Sequence, residues 1–298
     1  MLMYPVGLKQ AETRIAKKFT GLFKPSGRRK GVEAMLKTIL AKKYQEVKTA
    51  KQRRPLPSLI QDIKPGSFAL RKAIKQSEWS LIAECKLASP ATGRLCTRYS
   101  VPELAQIYTA HGATGLSVLT DSHFGGTLAN IQAVRAVTEL PILRKDFIVD
   151  AYQIYEARAV GADAVLLIAG ILSDSELKEF MAVAHGLGMD CLVEVHNAVE
   201  LNRVQQTPAL LVGINNRNLK TFTVDLTTTF SLLPHCDKHR IIISESGVKT
   251  GEDALRLKAA GVRGTLVGEG LVTAENIAGK TRELALVNTK NGGEYHAG

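Results

Sequence analysis

From residue 80 onward the chain alternates short apolar runs with longer amphipathic stretches. The runs fall at 81–85, 115–119, 141–144, 163–168, 190–195, 210–214, 241–244 and 264–267. Val, Ile and Leu dominate them, as in strands of a parallel sheet buried on both faces. Helix-start signals stand between the runs. Ser100 precedes Glu103, Ser173 precedes Glu176 and Thr250 precedes Asp253. Each pair has the spacing of a capping box, in which two side chains satisfy orphaned backbone donors. Eight strand–helix units predict an α/β protein, a (β/α)8 TIM barrel closed on itself; a doubly wound open sheet is the alternative.

Ahead of the barrel, Val32, Met35, Leu36, Ile39, Leu40, Tyr44 and Val47 follow the spacing of an amphipathic helix. Pro55 and Pro57 end that pattern, and Phe68, Leu70 and Ile74 predict a further short helix. The organisation is therefore a basic flexible arm (1–30), then a barrel with an N-terminal helical extension (31–288, extension 31–79), then a polar tail (289–298).

Charge changes this picture in one respect. The net charge is +11, but residues 1–75 hold 19 Lys and Arg against 4 Asp and Glu. The basic character thus belongs to the N-terminal region, and the catalytic body is slightly acidic. A bacterial-type extension explains the arm, with a transit peptide as the alternative. The arm lacks interleaved aromatic residues, so no specific nucleic-acid partner is expected. No apolar stretch approaches the length of a membrane span. Cys85, Cys96, Cys191 and Cys236 are far apart, with no paired motif. That suits a reducing, cytoplasmic setting. His235, Cys236 and His239 are the one place where a zinc site was weighed, and solvated loop residues are the plainer reading; no metal is expected.

The candidate chemistry lies where strands should end. Glu84 and Lys86 close the first run, Lys145 the third and Glu194 the fifth. Asn215 and Arg217 close the sixth, and Glu245 and Ser246 the seventh. Spacing by two puts Glu84 with Lys86, and Asn215 with Arg217, on one strand face. If that face is inward, the groups converge at the C-terminal mouth, where barrel active sites lie. Glycines follow the last two strands, in Glu245-Ser246-Gly247 and Gly268-Glu269. Loops at those positions form the common phosphate site of barrels, so a small phosphorylated substrate is expected.

The region from about Gly31 to Ala285 resembles the indole-3-glycerol phosphate synthase family. The resemblance rests on Ile82-Ala-Glu-Cys-Lys-Leu-Ala-Ser-Pro90, Leu116-Ser-Val-Leu-Thr-Asp121, Phe124-Gly-Gly126 and Leu143-Arg-Lys-Asp-Phe-Ile148. It continues through Tyr152-Gln-Ile-Tyr-Glu-Ala-Arg158, Leu192-Val-Glu-Val-His196, Gly213-Ile-Asn-Asn-Arg-Asn-Leu219 and Ser244-Glu-Ser-Gly247, in order and at family-like spacing.

The resemblance implies a cofactor-free carboxy-lyase of tryptophan biosynthesis. It would close an indole ring on 1-(2-carboxyphenylamino)-1-deoxyribulose 5-phosphate, releasing carbon dioxide and water. It implies Lys145 as the acid that protonates the ketone, Glu194 as the carboxylate facing the iminium charge, and Glu84 with Lys86 in dehydration. Asn215 and Ser246 complete the expected catalytic set. Ser89 and Arg217 are expected to hold the substrate, Phe124 and Phe147 to pack on the anthranilate ring, and Glu245, Gly247, Gly268 and Glu269 to complete substrate and phosphate binding. The helices before residue 80 would cover the mouth. The expected assembly is a monomer or weak homo-oligomer.

Four positions depart from the family pattern. Ala91 and Thr92 replace a Ser and a basic residue, Cys85 replaces a branched aliphatic, Gly170 follows the fourth strand, and Gly270 stands where Ser is common. They leave room for a paralogue with a shifted substrate. The competing readings are a neighbouring phosphate-binding barrel of tryptophan or histidine synthesis, and an inactive barrel whose basic arm binds polyanions.

Overall fold

The computed structural model describes residues 27–61, 63–89, 93–218, 221 and 223–287. The remainder of the predicted arm, Ala91 and Thr92, and the polar tail lie outside the described residues. Helix α1 (Gly27–Arg53) carries the predicted amphipathic run, α2 (Leu56–Ile60) begins after Pro55, and α3 (Ala69–Gln76) carries Leu70 and Ile74. Then come β1 (Ser80–Cys85), a small hairpin of β2 (Ala88–Ser89) and β3 (Gly93–Arg94), and β4 (Gly115–Leu119). The hairpin was not foreseen. The remaining strands are β5 (Ile142–Lys145), β6 (Ala164–Ile168), β7 (Asp190–Val195), β8 (Leu211–Asn215), β9 (Ile241–Glu245) and β10 (Gly264–Val267).

The eight long strands close in the order β1-β10-β9-β8-β7-β6-β5-β4, every pairing parallel. Pairing of β1 with β4 seals the ring, which excludes the open-sheet alternative. All three predicted capping boxes are present. In the second, Ser173 N–H donates to Glu176 Oε2 at 2.8 Å and Glu176 N–H donates to Ser173 Oγ at 3.3 Å.

The period-2 alternation of each strand divides its side chains between two cores. Ile82, Leu143, Leu166, Leu192, Leu211, Ile243 and Leu266 form the cluster inside the barrel. Outward residues such as Leu81, Leu116, Val165 and Val193 pack under the surrounding helices. Leu70 and Ile74 of α3 join the interior cluster. Arg71 N–H donates to Asp190 Oδ2 at 3.0 Å at the start of β7, so α3 plugs the N-terminal end.

Helix α1 sits at the opposite end. Leu40 and Val47 pack with Leu59, Val149 and Tyr152 beyond the end of β5. Tyr152 ties the junction further, its hydroxyl donating to Arg54 O at 2.7 Å. Charge reinforces the dock. Lys43 of α1 is buried, with its ammonium 2.8 Å from each of Glu46, Asp121 and Asp146. Asp146 also accepts from Arg144 at 2.9 Å and from Thr120 Oγ1 at 2.6 Å. The extension is therefore held by an apolar seam and a buried ionic network at the strand ends.

Candidate active site

Inward positions that are apolar deep in the barrel become charged one layer higher. Ile82 gives way to Glu84, Leu143 to Lys145, Leu192 to Glu194 and Ile243 to Glu245, each two residues further along its strand. The pairing registers hold these groups level: Glu84 opposite Ser117, Asn215 opposite Glu245, and Glu194 opposite Gly213.

Lys145 is the hub. Its Nζ lies 3.5 Å from Glu194 Oε2 and 3.8 Å from Glu245 Oε2. Burial works against its charge, but Glu194, Glu245 and Glu84 outweigh burial and hold the ammonium above the usual lysine range. Burial likewise opposes ionisation of Glu194, yet Lys145, His196 and Asn215 together hold its carboxyl below the usual range. Glu245 goes the other way. Burial and the neighbouring Glu194 raise it, with Lys145 only partly offsetting them. Neither Glu245 oxygen has a hydrogen-bond partner among the described residues. Two adjacent carboxyls thus have their proton affinities pushed apart, which is how neighbouring groups acquire separate acid and base roles.

Glu84 and Lys86 form a second pair, 3.9 Å apart. Lys86 Nζ also stands 5.6 Å from the centre of the Phe124 ring. Phe147 is half-buried and joins the interior cluster to the cluster beneath α1, so it lies between the mouth and its cover. Of Ser89 only the backbone is described, pairing with Gly93 in the hairpin.

On the remaining side, Arg217 approaches Glu269 at 4.0 Å, linking the loop after β8 to the one after β10. Ser246 and Gly247 both take positive φ, 65° and 88°. That conformation costs a serine free energy and is held by its surroundings. Buried Asn216 supplies the hold. Its amide donates to Glu245 O at 3.0 Å and Ser246 O at 2.9 Å, while its own oxygen accepts from Thr229.

Two glycines make room for the carboxylates. A Cβ on Gly213 would fall on Glu245 Oε1, and one on Gly268 would fall on Glu84 Oε2. Gly268→Ala is therefore expected to displace Glu84 and lower kcat by about 10- to 100-fold with circular dichroism unchanged. An unaltered kcat would show that Glu84's placement is not needed. Gly270 differs, since a Cβ there would meet only ordinary contacts at 3.5 Å. This departure from the family pattern is not forced by packing.

Sequence reasoning named the ring of charges and missed what braces it. Lys43, Asp121 and Asp146 anchor the cover, Asn216 holds the Ser246 turn, and His196 and Glu200 stand behind Glu194. Among the described residues no group of three or more His, Cys, Asp or Glu is arranged to hold a metal ion. No helix among them is long and apolar enough to cross a membrane.

A lysine ringed by carboxylates at a barrel mouth is compatible with several chemistries, and comparison with known proteins decides among them. The family model described as Indole-3-glycerol phosphate synthase matches residues 36–284. The chain belongs to the indole-3-glycerol phosphate synthase family. It is 47% identical over 247 residues to the indole-3-glycerol phosphate synthase of Albidiferax ferrireducens, covering 80% of this chain and 94% of that one. The corresponding protein of Desulforamulus reducens is 48% identical over 225 residues, covering 74% and 85%. Among solved structures, 3-hexulose-6-phosphate synthase from Salmonella typhimurium superposes with a TM-score of 0.57 at 11% identity, covering 70% of this chain and 97% of that one. That last likeness shows the fold alone. Synthases of this family are carboxy-lyases of tryptophan biosynthesis that act on a phosphorylated small molecule.

Proposed function

We propose that the charged ring at the barrel mouth performs the family's decarboxylative ring closure, with Lys145 starting the chemistry. The substrate is 1-(2-carboxyphenylamino)-1-deoxyribulose 5-phosphate and the product indole-3-glycerol phosphate. The observation that carries this reading is the Lys145 ammonium, inside the barrel and within 4 Å of both Glu194 and Glu245.

Those carboxylates keep Lys145 protonated, so it can donate to the ketone oxygen as the aryl carbon attacks. The developing iminium faces ionised Glu194, a fixed negative charge in a site of low polarisability. Loss of carbon dioxide returns its bonding electrons to the ring and cancels the iminium. Removal of water then needs a second acid and base, which Glu84 and Lys86 supply across the mouth. Asn215 steadies Glu194, and Phe124 and Phe147 flank the aryl group. Arg217, the strained Ser246-Gly247 turn and the backbone at Gly268 and Glu269 receive the phosphate, with Ser89 on the hairpin side.

We place this activity in a reducing cytoplasm, a reading supported by four unpaired cysteines, three of them buried. The exposed large apolar side chains Ile60, Val199, Val224 and Leu255 sit on separate segments. That supports a monomer or weak homo-oligomer.

The phosphate assignment is tested by comparing the substrate with its dephosphorylated analogue, following indole fluorescence. Charge-assisted contacts to a phosphate predict on the order of a hundredfold rise in KM without it. Equal KM values would contradict the assignment of the Arg217 side as the phosphate site.

A further inference from the structure

Both ring nitrogens of His196 face carboxylates. Nε2 lies 3.1 Å from Glu194 Oε1, and Nδ1 lies 3.1 Å from Glu200 Oε2. A neutral imidazole has one N–H and one lone pair, so it can serve only one such neighbour. Two carboxylates at this distance call for the imidazolium.

Glu200 is itself held in place. Its Oε2 accepts from His196 N–H at 2.9 Å, and its Oε1 accepts from Asn197 Nδ2 at 2.7 Å. Asn197 in turn caps the helix Ala198–Gln205 by accepting from Glu200 N–H at 3.0 Å. The loop after β6 leaves space for this arrangement. A Cβ on Gly170 would stand 3.3 Å from Glu200 Oε1, so a glycine at this departure from the family pattern keeps the carboxylate uncrowded.

The charged groups around His196 come from several elements. Glu194 shares its strand and Glu200 belongs to the following helix. Beyond Glu194 stand Lys145 on β5 and Glu245 on β9, with neutral Asn215 on β8. Burial disfavours the imidazolium, but Glu194 and Glu200 outweigh it and raise His196 to about 10.

The two oxygens of Glu194 therefore have different duties. Oε1 is occupied by His196, and Oε2 faces Lys145 and the open mouth. Glu245 has no comparable second cation within ion-pair distance among the described residues. We propose that His196, seated by Glu200, is a positioning residue that fixes negative charge on Glu194 and leaves the proton of the adjacent pair to Glu245. The inference rests on the reading of Glu194 as the carboxylate opposing the iminium. His196 touches neither substrate nor reacting atoms and acts through Glu194.

The test uses the full-length protein with His196→Asn and Glu200→Gln. Removing the His196 cation makes Glu194 easier to protonate, so the acid limb of the kcat–pH profile moves to higher pH. The expected shift in His196→Asn is about one unit or more, with kcat near neutrality reduced by about 10- to 100-fold. Activity recovers towards wild type at the alkaline plateau. Glu200→Gln shifts the limb in the same direction by a smaller amount and serves where His196→Asn folds poorly. A structural role would lower kcat at all pH values alike and leave the limb in place, which would overturn the proposal.

Ring 15N NMR supplies a readout that needs no turnover. His196, assigned from the His196→Asn spectrum, is expected to remain doubly protonated through pH 8 in wild type and to titrate at lower pH in Glu200→Gln. A neutral His196 at pH 7 would overturn the charge assignment directly. If wild type makes no indole product while the ring is an imidazolium whose titration follows Glu200, the reading of the reaction fails and the pairing stands.

Discussion

Lys145→Ala is expected to lower kcat by at least about a thousandfold while the barrel stays folded. The ammonium is the group placed to protonate the ketone, and it is also the counter-charge for Glu194 and Glu245. Its loss removes the acid. It also leaves two adjacent buried carboxylates without their shared cation, so protons are taken up to relieve them. The defect should therefore appear in kcat more than in KM, since phosphate contacts on the Arg217 side are untouched. Indole fluorescence in the steady state, with circular dichroism as the folding control, measures it. A loss of less than about tenfold would assign the first protonation to another group, with Lys86 the next candidate.

The second large effect concerns stability. Lys43→Met is expected to destabilise the protein by about 3–5 kcal/mol, because it removes one partner from a buried network and leaves Asp121 and Asp146 undercompensated. Exposed Lys42, which pairs with Glu46 at 3.9 Å, is the control. Lys42→Met should change stability by less than about 0.5 kcal/mol. High salt should narrow neither difference much, since buried pairs are screened weakly. Because Lys43 also pins α1 over the mouth, KM should rise in parallel. Urea denaturation of both variants makes the comparison, and a loss below about 1 kcal/mol for Lys43→Met would mean the apolar seam alone holds the extension.

The same network sets a dependence on pH. Burial favours the neutral acid at Asp146, but Arg144 and Lys43 outweigh it and lower its folded value. A carboxyl depressed on folding contributes stability above its unfolded value, about 3.9, and loses it as the pH falls through the folded value. Acid should thus loosen the cover before neutral-pH denaturants do.

The pattern of the chain made the barrel legible because each strand is apolar on both faces and each following helix announces its start. The expected runs at 115–119, 190–195 and 264–267 match β4, β7 and β10 residue for residue, and the others differ by one or two positions at an end. Glu84, Lys145, Glu194 and Glu245 were readable for the complementary reason. A charge that ends an apolar strand has nowhere to go except the mouth.

Partners distant along the chain were not readable in the same way. Lys43 sits among the basic residues of α1, and nothing local distinguishes it from exposed Lys42. Its burial follows from Asp121 and Asp146, which arrive only when β4 and β5 pair. His196 was visible inside a matched motif, but its role depends on Glu200 reaching back one helical turn. The β2–β3 hairpin is too short for periodicity to reveal.

The most direct test of the central claim is a single-turnover reaction of the full-length protein with the carboxyphenylamino-deoxyribulose phosphate, measuring indole product and carbon dioxide together. The account predicts the two in equal amounts, with no added metal or cofactor. Folded protein that releases neither, or carbon dioxide without indole, would contradict the assignment of ring closure to the Lys145–Glu194 mouth.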